Sequence, residues 1–100
     1  MFLDELRETK PHCIEYSDGM RRWLLGYKLH RSDGPAVEYP DGSKFWYQNG
    51  QLHRTDGPAI EYICGYHGWY LFGERYEDLE VWKITSEMLI LLFPGFGSEE

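Results

Sequence analysis

The hydrophobic and polar positions of the chain repeat with a period of 23 residues. The segment from Leu29 to Tyr39 returns from Leu52 to Tyr62 with only conservative replacements. Residues 14–36 align with residues 37–59 without a gap, and a third copy begins at residue 60 and decays after residue 73. A fixed period of this size indicates a repeat architecture built from one small supersecondary unit.

Within each unit, the pattern predicts short strands joined by turns. In the second copy, residues 36–39 read as a strand, Asp41-Gly42 as a turn, and residues 43–47 as a second strand rich in aromatic residues. Asn49-Gly50 is a strong signal for a two-residue hairpin, after which residues 51–53 form a third strand. Each repeat is therefore expected to contain three short strands joined by two turns.

The chain after residue 75 predicts a helix. Residues 76–93 lack glycine and proline, their apolar positions suit helical spacing loosely, and Pro94-Gly95 ends the pattern. A second helix beginning at Thr85 is left open. We expect one domain with four parts: an N-terminal segment (1–13), the repeats (14–75), a helical cap (76–93) and a loose tail (94–100).

An open repeat sheet needs its ends covered. At the N-terminus, Phe2, Leu3 and Leu6 form an apolar stripe suited to a first helical turn or two. At the other end, the apolar run Met88–Phe93 has two interpretations, a plug that caps the sheet or the seam of a homodimer, and the plug is favoured.

The net charge of −7 is distributed unevenly. Residues 1–60 hold 9 acidic and 8 basic residues, whereas residues 61–100 hold 8 acidic and 2 basic ones. The net charge argues against direct binding to nucleic-acid phosphates, and the acidic end would attract a basic surface on a partner protein. The longest apolar run is too short to span a bilayer and no signal peptide is visible, so we expect a cytoplasmic protein without a membrane span.

The period, the turn at Tyr39–Gly42, the aromatic strand and Asn49-Gly50 together resemble MORN repeats, named from the membrane occupation and recognition nexus. The block Leu-His-Arg-x-Asp-Gly-Pro-Ala is similar to a variant found in small bacterial and bacteriophage proteins. The resemblance covers about residues 14–75. It implies a mainly β fold with added α structure, in which tandem β-hairpin repeats form one elongated, twisted antiparallel sheet with a C-terminal helical cap.

Two His/Asp pairs look like candidates for acid–base chemistry: His30 with Asp33, and His53 with Asp56. Each pair occurs once per repeat, whereas a catalytic pair is seldom needed twice. We interpret all four as turn residues whose side chains bond nearby backbone groups. The sequence also lacks a phosphate-binding loop and a nucleophile elbow, so we expect neither an enzyme nor a cofactor.

Two other groups of side chains are candidates for ligand binding. His12, Cys13, Cys64 and His67 suit zinc in type, but they lie in different phases of the repeat, so no metal site and no disulfide are expected. A basic and aromatic face for single strands is disfavoured by the net charge. Its residues would be Arg21, Arg22, Lys28, Arg31 and Lys44 with Trp23, Trp46 and Tyr47.

The hypothesis that remains is a non-enzymatic, acidic protein-binding module. Trp23, Trp46 and Trp69 share one phase of the repeat, where they either cover the sheet, which is favoured, or form a binding strip. The partner-binding candidates are these tryptophans together with Glu74, Glu77, Asp78, Glu80 and Glu87.

The resemblance to phage proteins narrows this hypothesis further. It favours an anti-CRISPR-like inhibitor of a bacterial defence nuclease, encoded by a phage or mobile element, that occupies a basic nucleic-acid cleft of a host protein. The alternative is a MORN-type antitoxin or a scaffold on a lipid surface.

Overall fold

The computed structural model describes residues 10–93, which form ten short strands and one helix. The expectations for Phe2, Leu3 and Leu6 and for the tail 94–100 lie outside this range. The helix is α1 (Leu79–Leu92). The strands are β1 (His12–Glu15), β2 (Arg21–Leu25), β3 (Lys28–Leu29), β4 (Val37–Glu38), β5 (Lys44–Phe45), β6 (Tyr47–Gln48), β7 (Gln51–Leu52), β8 (Ile60–Glu61), β9 (His67–Leu71) and β10 (Glu74–Tyr76).

Most of these strands belong to a single antiparallel sheet. Its order is β1-β2-β4-β5-β8-β9-β10, with β3 paired to β2, while β6 and β7 form a separate hairpin. The molecule is flat, with principal extents of 46 × 37 × 17 Å. The predicted fold class, a mainly β chain of antiparallel hairpins with a C-terminal helix, is confirmed.

The predicted strand over residues 43–47 is wrong as one continuous element. It splits at Trp46, whose backbone N–H still donates to the carbonyl of Ala59 in the large sheet at 2.7 Å. The next residue, Tyr47, pairs instead with Leu52 in the β6–β7 hairpin. The same bond recurs one repeat earlier, from Trp23 to Ala36 at 2.8 Å. The backbone bond is thus repeated but the break is not, because Trp23 and Trp69 lie inside the continuous strands β2 and β9.

The hairpin turns adopt the left-handed conformation that the Asn-Gly signal predicts. Asn49 and Gly50 have φ values of 51° and 82°, and Phe72 and Gly73 repeat them at 52° and 82°. Positive φ is common for asparagine and glycine but rare for a bulky residue such as phenylalanine. The third hairpin therefore keeps the geometry of the second although it lacks its sequence signal.

The core is small because the sheet is thin. Ala36 and Ala59, which end the two repeated blocks, are completely buried, and Val37, Ile60 and Leu71 are nearly so. On one side of the sheet the aromatic rings touch edge-on or tilted, with centroids 5.4–5.7 Å apart. This row consists of Tyr39, Phe45, Tyr62 and Tyr66.

The C-terminal helix is single and begins later than predicted. Tyr76 belongs to β10, and Asp78 is the helix N-cap, since its carboxylate accepts the N–H groups of Glu80 and Val81 at 2.9 and 3.4 Å. Thr85 does not start a second helix, because its hydroxyl donates to the Val81 carbonyl one turn back within α1. A cap on the first free amides explains why the helix starts after Asp78.

Candidate functional site

The repeated block builds an arginine clamp on each of the first two tryptophans. The guanidinium of Arg54 lies 3.8 Å from the ring centre of Trp46. It donates to the carboxylate of Asp56 at 2.8 Å, the carbonyl of Pro58 at 3.0 Å and the carboxylate of Glu61 at 3.1 Å. The preceding repeat makes the same set of contacts, with Arg31 on Trp23, Asp33, Pro35 and Glu38. We call each set an Arg–Trp clamp.

The glycine of the block leaves room for this clamp. A Cβ added at Gly57 would lie 2.7 Å from the Cζ of Arg54, and one at Gly34 would lie 2.9 Å from that of Arg31. Neither glycine has a positive φ, so space rather than backbone conformation requires it. The arginine that folds across the Asp-Gly-Pro-Ala segment thus explains why this segment contains a glycine.

The buried histidines connect one repeat to the next. The Nδ1 of His30 accepts the backbone N–H of Asn49 at 2.9 Å, and the Nδ1 of His53 accepts that of Phe72 at 2.8 Å. In both cases the donor lies 19 residues further along, in the next hairpin. The partners therefore differ from the nearby backbone groups we expected.

The aspartates of the block do not pair with the histidines. Asp33 and Asp56 accept bonds from the guanidinium groups of Arg31 and Arg54 instead, at 2.9 and 2.8 Å. The four turn candidates lie in the two repeated loops, β3–β4 and β7–β8, where imidazole bonds to backbone and carboxylate to arginine. No imidazole–carboxylate hydrogen bond of the acid–base type links the members of either pair.

The third tryptophan is covered by the helix rather than by an arginine. In the third repeat, the position that corresponds to Arg54 is occupied by Glu77. Trp69 therefore has no arginine to form a clamp. The indole of Trp82, on the first turns of α1, packs against Trp69 with centroids 4.6 Å apart. Trp82 is only 6 % exposed. Trp23, Trp46 and Trp69 are all half-buried, and each is covered by a cation or a ring.

A shallow groove of about 460 Å³ runs between the two Arg–Trp clamps. It is lined by Arg31, Asp33, Trp46, His53, Arg54 and Asp56 among others. The charged groups of this groove are engaged with each other or with the carbonyls and glutamates behind them. The arginines and aspartates of the groove are thus already paired within the protein.

The acidic candidates at the C-terminal end are exposed, and most have no ion-pair partner. Glu74, Glu80 and Glu87 make no salt bridge within residues 10–93, and Glu77 lies 3.6 Å from Arg75. Asp78 is occupied as the helix N-cap. The structure therefore distributes these five residues between a strand end and one helix, and leaves their charge facing solvent.

The run Met88–Phe93 does not plug the sheet, which corrects the interpretation we favoured. Leu89 is half-buried, whereas Met88, Ile90, Leu91, Leu92 and Phe93 are exposed. The residues of α1 that reach the protein interior are Trp82 and Ser86. The sheet is capped by the first turns of the helix, and the apolar last turns are left on the surface. The spacing of apolar residues in the sequence does not show which turns of the helix contact the sheet.

The remaining candidates are dispersed. Cys13 and Cys64 are exposed free thiols, and no three metal-ligating side chains cluster anywhere in the described part of the chain. Arg21 pairs with Glu38 at 3.6 Å, and Arg22 donates to the hydroxyl of Tyr16 at 3.1 Å. None of the helical structure from residue 10 to residue 93 is long and apolar enough to cross a membrane.

No family model, no curated protein and no solved structure matches this chain. The resemblance to MORN repeats stays a prediction that rests on the quoted residues.

Proposed function

We propose that the protein is a non-enzymatic binding module that docks its acidic C-terminal end on a basic surface of another protein. The observation that carries this proposal is a difference in charge pairing. In the repeats, Arg31 and Arg54 neutralise the surrounding carboxylates at 2.8–3.4 Å. At the other end, Glu80 and Glu87 have no such cation within residues 10–93. Unpaired carboxylates attract a cationic partner and accept strong bonds from arginine.

The helix orders these carboxylates along one line. Positions seven apart lie two turns apart on nearly the same side of a helix, so Glu80 and Glu87 share a side at a rise of about 10 Å. Glu74 and Glu77 extend the negative charge toward the sheet. A row of this kind can compete with a phosphate backbone for lysines and arginines.

In its finer form, the proposal names the partner as a bacterial defence nuclease and the protein as an inhibitor carried by a phage or mobile element. The acidic row would then occupy the cleft that holds nucleic acid. The net charge of −7, concentrated where the repeat ends, supports this form, and so does the resemblance of the repeated block to phage proteins.

The experiment is affinity capture from bacterial lysate with three proteins: the wild type, Glu87→Lys and Glu15→Lys. Both residues are exposed and both substitutions change the net charge equally, but Glu15 lies on β1 at the opposite edge of the sheet. We expect a discrete partner that Glu87→Lys loses by tenfold or more in affinity, about 1.4 kcal/mol, while Glu15→Lys retains it.

Two further properties identify the partner surface. Binding should weaken steeply with salt, and added double-stranded DNA should displace the protein, because both compete for the same cations. Equal retention by Glu87→Lys and the wild type, or capture indifferent to DNA, would contradict docking of the acidic end in a nucleic-acid cleft.

A further inference from the structure

Helix α1 has apolar residues on two opposite sides. One side packs on the sheet through the buried residues Trp82 and Ser86 and the half-buried Leu89. The other side exposes a second stripe whose members follow each other at intervals of three, four and three residues. We call this stripe the outer seam; it consists of Val81, Ile84, Met88 and Leu91, which are 47, 59, 52 and 77 % exposed.

The spacing of the outer seam is that of a helix-pairing interface. Apolar residues that alternate at three and four positions are the a and d positions of a heptad repeat. Val81 and Met88 then occupy a, while Ile84 and Leu91 occupy d. A helix with apolar residues on most of its surface is found buried between partners rather than facing water.

We propose that the outer seam is the interface between two copies of this chain, which pair through parallel α1 helices about a twofold axis. A twofold interface places the same patch of each copy against the other. In a parallel pair, Ile84 would therefore face Ile84 of the second copy. Four apolar layers of this kind exclude water from side chains that the monomer leaves exposed.

The charges beside the seam favour the parallel arrangement. Glu80 and Glu87 occupy the flanking g positions, which lie across from e positions in a parallel pair. The e positions hold Thr85 and Leu92, so no carboxylate faces another. An antiparallel pair would instead set Glu80 beside Glu87 of the other copy, and like charges at this distance repel.

Residues 1–9 and residues 94–100 are poorly suited to cover the outer seam. Residues 1–9 lead into β1, which five strand spacings of about 4.8 Å separate from β9 under the helix. Nine residues span at most about 30 Å when fully extended. Nearly all of them would be needed to reach α1, which leaves few to cover it. Residues 94–100 contain one large apolar side chain, Phe96. A single phenylalanine cannot cover the four residues of the outer seam.

A membrane surface is a poorer occupant than a second copy. Helices that lie on membranes carry lysine and arginine beside their apolar face, which attract anionic headgroups. The seam of α1 is bordered by Glu80 and Glu87, and the helix has a single basic residue, Lys83. Anionic lipid would repel this border.

The size of the seam sets the strength of the dimer. A helix of 14 residues is about 21 Å long, and two heptads bury less than the roughly 800 Å² per partner of a standard interface. We therefore expect a weak dimer that forms at tens of micromolar or above. This inference is independent of the proposed function, because Glu80 and Glu87 stay at the rim of the pair.

The test is sedimentation equilibrium of the full chain from about 5 to 500 μM, across the range expected for a weak dimer. The wild type should pass from monomer to twice the monomer mass, and Ile84→Glu should remain monomeric throughout. The control is Ile63→Glu, the same change at an isoleucine of the β8–β9 turn that is 68 % exposed. It should dimerise as the wild type does.

Orientation is tested by cross-linking, which also covers the case in which Ile84→Glu fails to fold. In a Cys13→Ser, Cys64→Ser background, Ile84→Cys should form a disulfide-linked dimer on mild oxidation, since parallel d positions meet. A wild type that is monomeric at every concentration overturns the proposal, even if another protein binds the seam. Dimers unaffected by Ile84→Glu, or an Ile84→Cys chain that dimerises without cross-linking, overturn it too.

Discussion

At the scale of the residue, one arginine and one histidine make the main side-chain contacts of each repeated block. Arg54 closes over Trp46 and gathers the carboxylates around it, while His53 holds the next hairpin by its Phe72 amide. Recurrence in the sequence predicts that such residues build the repeat. It could not identify the partner of His53, since a bond spanning 19 residues exists only once the hairpins are stacked. Asp56 is close in sequence to both His53 and Arg54, so the sequence alone does not show that it bonds to the arginine.

The clamp predicts that Gly57→Ala destabilises the protein through Arg54. The new methyl group would lie 2.7 Å from the guanidinium carbon, so the guanidinium must shift from its position on Trp46. Loss of a cation–π contact and of partly exposed ion pairs should lower the free energy of unfolding by about 1–2 kcal/mol in urea titrations.

A double-mutant cycle shows whether Arg54 is the cause. In an Arg54→Ala background there is no guanidinium to displace, and Gly57→Ala should then be neutral or slightly stabilising, because alanine restricts the unfolded chain. Additive costs in the double variant would contradict the clamp as the reason for this glycine.

Tyr47 predicts a specific loss of stability in alkali. Burial raises the pKa of its hydroxyl above 10.0, helped by the nearby Tyr39, Tyr70 and Tyr62. The unfolded chain ionises first, so the stability that this group contributes is complete below its unfolded pKa. It is lost as the pH rises from there to the folded pKa. Unfolding titrations should show this decline, and Tyr47→Phe should reduce it; an equally steep decline in Tyr47→Phe would assign it to other groups.

At the scale of the element, the helix takes the place of the missing third clamp. The composition of residues 76–93 predicts a helix and its apolar character predicts a cap, but this prediction places the contact with the sheet at the wrong end of the helix. Trp82 near the start makes the contact, because the chain leaves β10 beside Trp69 and reaches it within the first helical turn. The strand break at Trp46 is not visible in residues 43–47 themselves, because the pairing of Tyr47 with Leu52 in the β6–β7 hairpin exists only in the folded chain.

This packing predicts a large effect of Trp82→Ala and a small effect of Trp82→Phe. Removing a buried indole costs about 3–5 kcal/mol, which is much of the stability of a small domain. Phenylalanine keeps a ring on Trp69, and the indole N–H makes no hydrogen bond within residues 10–93, so its loss costs little. Urea unfolding followed by circular dichroism measures both. Similar losses in the two variants would mean that Trp69 does not depend on the ring.

At the scale of the whole molecule, the charge is divided between two ends with different roles. In the repeated blocks, Arg31 and Arg54 pair with the carboxylates around them, and the C-terminal end exposes carboxylates and the outer seam together. The excess of acid after residue 60 was visible in the sequence, and so were its candidate residues. What composition could not show is which acids are neutralised, since Glu38 and Glu61 are engaged by arginines while Glu80 and Glu87 are not.

The account's central claim is that the repeated block builds the fold and that interaction belongs to the part of the chain where the repeat ends. Amide hydrogen exchange of the protein with and without its captured partner tests this claim most directly. Binding should slow exchange over residues 74–92 and leave the blocks at residues 29–36 and 52–59 unchanged. Slowed exchange in those two blocks, with residues 74–92 unaffected, would contradict it and place the binding site in the groove between the Arg–Trp clamps.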